Sequence, residues 1–161
     1  VAAATTGGVV VGAVPVPVPD TAILVPTEMA MITAVAHVYG IKKDERANEF
    51  FTTMIGAGTV SLAAKTALTA LKAIPGVNIG AAVLNAVVAG CIVAALGEGS
   101  IFAFEQVLLG KKTLDDIDWV TKVIESKLSN QFIEKVSNVI KKVSENADSK
   151  TIVEAVLSIF Q

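Results

Sequence analysis

Residues 15–40, PVPVPDTAILVPTEMAMITAVAHVYG, carry the strongest structural signal in this sequence. Pro15, Pro17 and Pro19 fix the backbone φ angle and lack an amide donor, which excludes a central strand or a helix interior there. The apolar segment that follows contains neither lysine nor arginine. A stiff extended strap that leads into an apolar helix indicates a buried structural role rather than a catalytic one.

The strap is followed by a predicted helix with recognisable ends. Asp20 is placed to accept hydrogen bonds from the first free amides of that helix as its N-cap. We expect a kink at Pro26, or a restart of the helix with Thr27 as cap. The helix should run to about Tyr39, and Gly40 should end it in the left-handed conformation.

Further along the chain, Asp44 is the next expected N-cap, for an apolar pattern that continues to Leu71. Gly56 and Gly58 weaken that helix, by about 1 kcal/mol each relative to alanine, and indicate close packing or a bend. The same close approach of helices is expected at several later glycines: Gly76, Gly80, Gly90 and Gly97.

Pro75 and Gly76 break the chain before a long apolar helix. Asn78 is its expected cap and Gly110 its expected C-terminal glycine, so that the helix reaches Leu109 and spans about 45–50 Å. The glycines of this segment also allow a break in the helix near Gly97, and the sequence does not decide between a continuous and a broken helix.

The last third of the chain has the pattern of an amphipathic helix. Apolar residues recur every three or four positions from Ile117 to Val143, which predicts one helix of several turns that starts at Thr113 or Asp115. A final helix should follow, with Ser149 as its cap.

These elements predict an all-α fold. We expect a helical bundle with a glycine- and alanine-rich apolar helical hairpin and amphipathic C-terminal helices. Residues 1–110 should form the apolar core with the PVPVPD strap, and residues 111–161 a tail packed on it, within one domain. The sequence does not begin with Met, from which we expect a fragment or a processed chain.

Composition excludes several classes of function. The 161 residues have a net charge of −2, which argues against nucleic acid, because phosphate binding needs a basic face. His37 is the only histidine and Cys91 the only cysteine, so two-histidine metal sites and internal disulfides are excluded. We therefore expect no metal, no cofactor and no catalytic residue, and a chain that is not an enzyme.

Four acids stand out within the apolar part of the chain: Asp20, Glu28, Glu98 and Glu105. A buried acid without a partner is costly, so each should be paired, hydrogen-bonded or exposed. Glu28 should interact with Lys65 or Lys72 across helices, or line a pocket. A polar pocket that holds Asp20, Glu28 and His37 together would favour a small-molecule carrier or an enzyme.

Membrane insertion is a second open question. The segment from Ala73 to Gly97 is long enough to cross a bilayer, but Pro75, Asn78 and Asn85 oppose insertion. Both a buried central helix of a bundle and a membrane-inserting hairpin remain compatible with the sequence.

The strap and its helix resemble a YcjF-related bacterial helical domain of unknown function, over roughly residues 1–110. The residues that carry the resemblance are Pro15, Pro17, Asp20, Glu28, Met29, Met31, Tyr39 and Gly40, and the turn IPGVNIG at residues 74–80. This domain is often fused C-terminal to Era-like or dynamin-like GTPase domains. The resemblance implies an accessory domain to a P-loop GTPase, often associated with membranes, although this chain has no GTPase motif.

Three functions follow from these observations. The first is a non-enzymatic helical accessory domain of a GTPase-like protein, in cis or in trans, that acts through membrane, partner or self contact. The second is a pore-forming-like protein with a sheathed hydrophobic hairpin, and the third is a helical small-molecule carrier or enzyme. We expect a cytoplasmic location, peripheral or integral at the inner membrane. The structural candidates are Pro15, Pro17, Pro19, Asp20, Glu28, Tyr39, Gly40, Pro75, Gly76 and Gly80.

Overall fold

The computed structural model describes residues 21–59, 80–143 and 147–160, and these form helices without any strand. The all-α prediction is therefore confirmed. In chain order the helices are α1 (Thr21–Val38), α2 (Glu45–Thr59), α3 (Ala81–Leu108), α4 (Ile117–Lys127), α5 (Asn130–Lys142) and α6 (Ser149–Phe160).

The 28-residue helix α3 is the centre of the bundle, about 42 Å long at 1.5 Å per residue. Its N-terminal half packs against α5 and α6, in a core of small aliphatic residues with Phe132 and Phe160. Its C-terminal half, together with Ala89 and Val93, packs against α1, α2 and α4, in a core that contains Phe50, Phe51 and Phe104. The two cores lie side by side along one helix.

Helices α1 and α3 both end in a glycine turn, as the sequence predicts. Gly40 has φ +72° and Gly110 has φ +68°. In α1 the amide of Ile41 donates to the carbonyl of Ala36, and in α3 the amide of Lys111 donates to that of Gln106. These are Schellman turns, which satisfy the last free carbonyls of a helix.

The predicted N-caps are confirmed in one case and corrected in another. Asp44 Oδ1 accepts from the amide of Ala47 at 2.8 Å and caps α2. The cap of α6 is Asp148, not Ser149: Asp148 Oδ1 accepts from the amide of Thr151 at 2.8 Å. This bond lowers the pKa of Asp148. Asn78, the cap predicted for the long helix, lies outside the described residues.

Helix α1 is continuous through Pro26, so the predicted restart at Thr27 is wrong. Pro26 lies in the second turn and is exposed, and its missing amide deprives only one carbonyl of its helical partner. The break near Gly97 does not occur either, because α3 continues from Ala81 to Leu108.

The prediction of a single amphipathic helix in the tail is also wrong. The chain leaves the helix at Leu128 and becomes extended at Ser129, where φ is −78° and ψ is −163°. The turn divides the tail into α4, which covers one half of α3, and α5, which covers the other. The predicted start is wrong as well: α4 begins at Ile117, and Thr113 and Asp116 bond to each other before it.

Gly58 and Gly99 permit close contact between helices. The sequence predicts this close contact for Gly58 but not for Gly99. A Cβ on Gly58 would lie 3.3 Å from Leu96 Cδ1, and a Cβ on Gly99 would lie 2.6 Å from Ile124 Cδ1. Gly56 and Gly80 have nothing within 4 Å of that position, so the expected close approach is absent there.

Candidate functional site

Glu28 is the most unusual residue in the described part of the chain. Its side chain is 0% exposed, and neither carboxyl oxygen has a hydrogen-bond partner within the described ranges. Burial raises the pKa of Glu28 to about 7, because removing a carboxylate from water disfavours its charged form. Lys65 and Lys72, its predicted partners, lie outside the described residues.

The position of Glu28 on α1 explains its burial. Met31 and Ile32 follow it by three and four residues and are buried in the same core. Residues at this spacing lie on one face of a helix, so Glu28 belongs to the face of α1 that packs into the bundle. Because α1 is apolar on nearly every side, this spacing alone does not single out the inward face in the sequence.

Glu98, another acid of the apolar region, has charged partners. Its carboxylate is 3.2 Å from Lys135 Nζ of α5 and 3.8 Å from Lys127 Nζ of α4. Glu98 is partly exposed and bridges three helices. Glu28 and Glu98 therefore differ in both burial and pairing.

His37 lines a cavity at the end of α1 whose lining does not include Glu28. This cavity has a volume of about 410 Å³, and its lining includes His37, Lys42, Lys43, Phe51 and Thr33. The hydroxyl of Thr33 is buried without a hydrogen-bond partner in the described residues. Glu28 does not line this cavity, and Asp20 lies outside the described residues, so the polar pocket of Asp20, Glu28 and His37 remains an open alternative.

Cys91 is buried in α3, as its apolar surroundings predict. It is 0% exposed, and burial raises the pKa of its thiol, so its thiolate is suppressed. Within residues 21–59, 80–143 and 147–160, no three His, Cys, Asp or Glu residues are grouped to hold a metal ion.

The two Schellman turns lie at the same end of the bundle. Tyr39, after α1, and Phe104, near the end of α3, have ring centroids 6.4 Å apart. Arg46 and Asp115 form an ion pair of 3.6 Å between the segments that follow the two turns. We call residues 38–43 and 108–112 together the lysine end, because each turn glycine is followed closely by two lysines.

Apolar side chains are exposed at the lysine end. Val38 is 82% exposed, Leu108 63% and Leu109 58%. Ile101 and Phe102, the other exposed large apolar residues in the described ranges, lie within two turns of the end of α3. A contiguous patch of exposed apolar side chains is typical of interaction surfaces, so the lysine end is the candidate site for an interaction.

The other predicted structural residues have different outcomes. Pro15, Pro17, Pro19, Asp20, Pro75 and Gly76 lie outside the described residues. Tyr39 and Gly40 belong to the lysine end, and Gly80 is the extended residue before α3. The lysine end as a whole was not predicted, although the pairs Lys42–Lys43 and Lys111–Lys112, each beside a predicted terminal glycine, are visible in the sequence.

The described residues thus form an all-α bundle around one apolar helix, with exposed apolar residues at one end. A family model described as "Domain of unknown function (DUF697)" matches residues 1–132. The chain belongs to this family, and the resemblance to the domain that accompanies YcjF and GTPase-like proteins is confirmed. No curated protein and no solved structure matches the chain.

Proposed function

We propose that this chain is a non-enzymatic helical accessory domain of a GTPase-like protein, and that it acts by association with a membrane, a partner or a second copy of itself. The observation that carries the proposal is the exposure of Val38, Leu108 and Leu109 at one end of an otherwise well-packed bundle. Family membership supports the link to a GTPase domain, in cis or in trans. The proposed location is then cytoplasmic, peripheral or integral at the inner membrane.

A photo-crosslinking amino acid at position 109 tests this proposal in cells that produce the chain. The matched control places it at Lys150, whose side chain is 83% exposed and which lies in α6, against the other half of α3. We expect crosslinks from position 109 to lipid, to a GTPase domain or to a second copy, well above those from position 150. Equal, background crosslinking from both positions would refute an association function at this end.

A membrane-inserting function is the second candidate, and the composition of α3 favours it. Residues 82–108 are long and apolar enough to cross a membrane. An 18-residue window within them has a mean hydropathy of 2.0, yet 83% of that window is buried inside the bundle. The core helix of a soluble protein has the same properties. Insertion would require the surrounding helices to separate from α3.

Cys91 provides a test of insertion, since it is the only cysteine and is buried in α3. In the inserted protein Cys91 would lie within the hydrocarbon core, so vesicles should protect it from a water-soluble maleimide in urea, which exposes the thiol of the uninserted chain to water. The inserted protein should also resist extraction with alkaline carbonate. Equal reaction in urea with and without vesicles, together with complete extraction, would exclude insertion and leave peripheral association.

A further inference from the structure

We infer that the cavity at the end of α1 binds a small organic anion, a molecule in which an acidic group is joined to an apolar body. This site goes beyond the association function proposed above and does not depend on it. The cavity has a volume of about 410 Å³, which lies within the range of about 300–1,000 Å³ that is usual for small-molecule sites.

The apolar part of the lining comes from α1, α2 and the segment between them. Ala36 of α1 and Phe51 of α2 are buried, at 1% and 0% exposure, and Ile41 after the turn is partly buried. These three side chains belong to the floor of the cavity, because they are the part of its lining that is covered by the bundle. They offer an aliphatic and aromatic surface to the apolar body of a ligand.

The polar part of the lining consists of hydrogen-bond donors. His37, Lys42 and Lys43 are exposed and therefore lie at the rim of the cavity, and neither lysine forms an ion pair within the described ranges. No aspartate or glutamate is among the described residues that line it. Ammonium groups donate and do not accept, so the matching group on a ligand is an anionic acceptor such as a carboxylate.

Thr33 provides a further donor without a partner. Its hydroxyl is buried and has no hydrogen-bond partner in the described residues, whereas a helical threonine often bonds to a carbonyl one turn before it. Because Thr33 lines the cavity, a rotation about its χ1 angle can turn the hydroxyl toward a ligand. An anionic acceptor would then supply the missing hydrogen bond.

The charge around the cavity does not by itself attract an anion. Asp44 and Glu45 follow the two lysines directly, and Asp44 Oδ1 is held at 2.8 Å from the amide of Ala47 as the cap of α2. Selection must therefore come from direct contacts inside the cavity. This requires both parts of the ligand, the acidic group for the donors and the apolar body for the floor.

Nuclear magnetic resonance titration of the full chain with three probes tests the inference. Benzoate has both parts, benzyl alcohol has the ring without the charge, and acetate has the charge without the ring. Benzoate should shift the amide signals of Thr33, His37 and Lys42 saturably. Benzyl alcohol and acetate should each bind at least about tenfold more weakly, because each lacks one of the two contributions.

Two lysine variants separate contact from overall charge. K42Q/K43Q should bind benzoate about tenfold more weakly, because it removes both charged donors of the rim. K111Q/K112Q is the matched control: it changes the net charge equally, after the turn at Gly110, and its positions do not line the cavity. It should bind benzoate as the wild type does, and the amide spectra of both variants report whether they fold.

Equal losses in the two lysine variants would overturn the inference, as would equal affinities for benzoate and benzyl alcohol. Shifts that do not saturate, or that spread over the whole surface, would show an adventitious additive only. None of these results alters the crosslinks expected from position 109, so this site and the association function can fail separately.

Discussion

The two halves of α3 are covered in different ways. The half toward its N-terminus packs against the hairpin of α5 and α6, whose apolar faces are buried and whose Lys141, Lys142 and Lys150 are exposed. The half toward its C-terminus packs against α1, α2 and α4 and ends in exposed apolar residues. The buried Glu28 lies on α1, one of the helices that cover this half. Departures from ordinary packing rules are concentrated in one half, which is where functional sites are expected.

The largest expected effect comes from the aromatic cluster of the C-terminal half. Phe104 is 5.5 Å from Phe51, 6.2 Å from Phe50 and 6.4 Å from Tyr39 between ring centroids. Phe104→Ala should lower the free energy of unfolding by about 4 kcal/mol, because it leaves a cavity among three rings.

Phe132→Ala is the matched substitution in the other half, where Phe132 has one aromatic neighbour, Phe160, at 6.4 Å. We expect a loss of about 3 kcal/mol there. Urea denaturation of both variants measures the difference. A smaller loss for Phe104→Ala than for Phe132→Ala would show that the ring cluster adds no stability to its half.

The next effect is the dependence of stability on pH that Glu28 imposes. Its pKa is about 7 in the folded protein and 4.5 as the ordinary value, so the folded state holds its proton more tightly than the unfolded state. Stability should therefore fall as the pH rises from 4.5 to 7, and the loss should be complete above 7. At 1.36 kcal/mol per pH unit, the loss is about 3 kcal/mol.

Glu28→Gln tests this dependence, because glutamine does not titrate and the fall between pH 4.5 and 7 should disappear. Glu98→Gln is the control: it removes the ion pair to Lys135, should cost about 1 kcal/mol or less, and should leave the fall in place. Urea denaturation across this pH range gives both curves. A Glu28→Gln curve with the wild-type slope would mean that another group titrates.

The features that the sequence predicts correctly depend on a few neighbouring residues. The turns at Gly40 and Gly110 and the cap at Asp44 follow from local hydrogen-bonding chemistry. At α6, Asp148 and Ser149 are adjacent and both suitable as caps, so the sequence alone does not choose between them.

The features that it does not predict depend on tertiary structure. Helix α1 is apolar on nearly every side, so its hydrophobic pattern has too little contrast to show that Glu28 faces inward. The turn at Ser129 interrupts a pattern that continues across it, because α4 and α5 both present an apolar face to α3. The lysine end forms only because the turns at Gly40 and Gly110, about 70 residues apart in sequence, lie next to each other in the fold. Local sequence patterns do not predict such a long-range contact.

The smallest effect separates two helical glycines. Gly56 is exposed in α2 with nothing within 4 Å of an added Cβ, so Gly56→Ala should stabilise the protein by about 1 kcal/mol through helix propensity alone. Gly99→Ala has the same gain, but its Cβ would lie 2.6 Å from Cδ1 of the fully buried Ile124. That methyl group must move within a packed core, at about 1–2 kcal/mol.

Gly99→Ala should therefore be less stable than Gly56→Ala by at least about 1 kcal/mol in urea denaturation. The additional variant Gly99→Ala with Ile124→Val removes the obstructing methyl group and should recover part of the difference. If the two alanine variants are equally stable, Ile124 adjusts freely, and the contact of α3 with α4 is looser than the spacing of its atoms indicates.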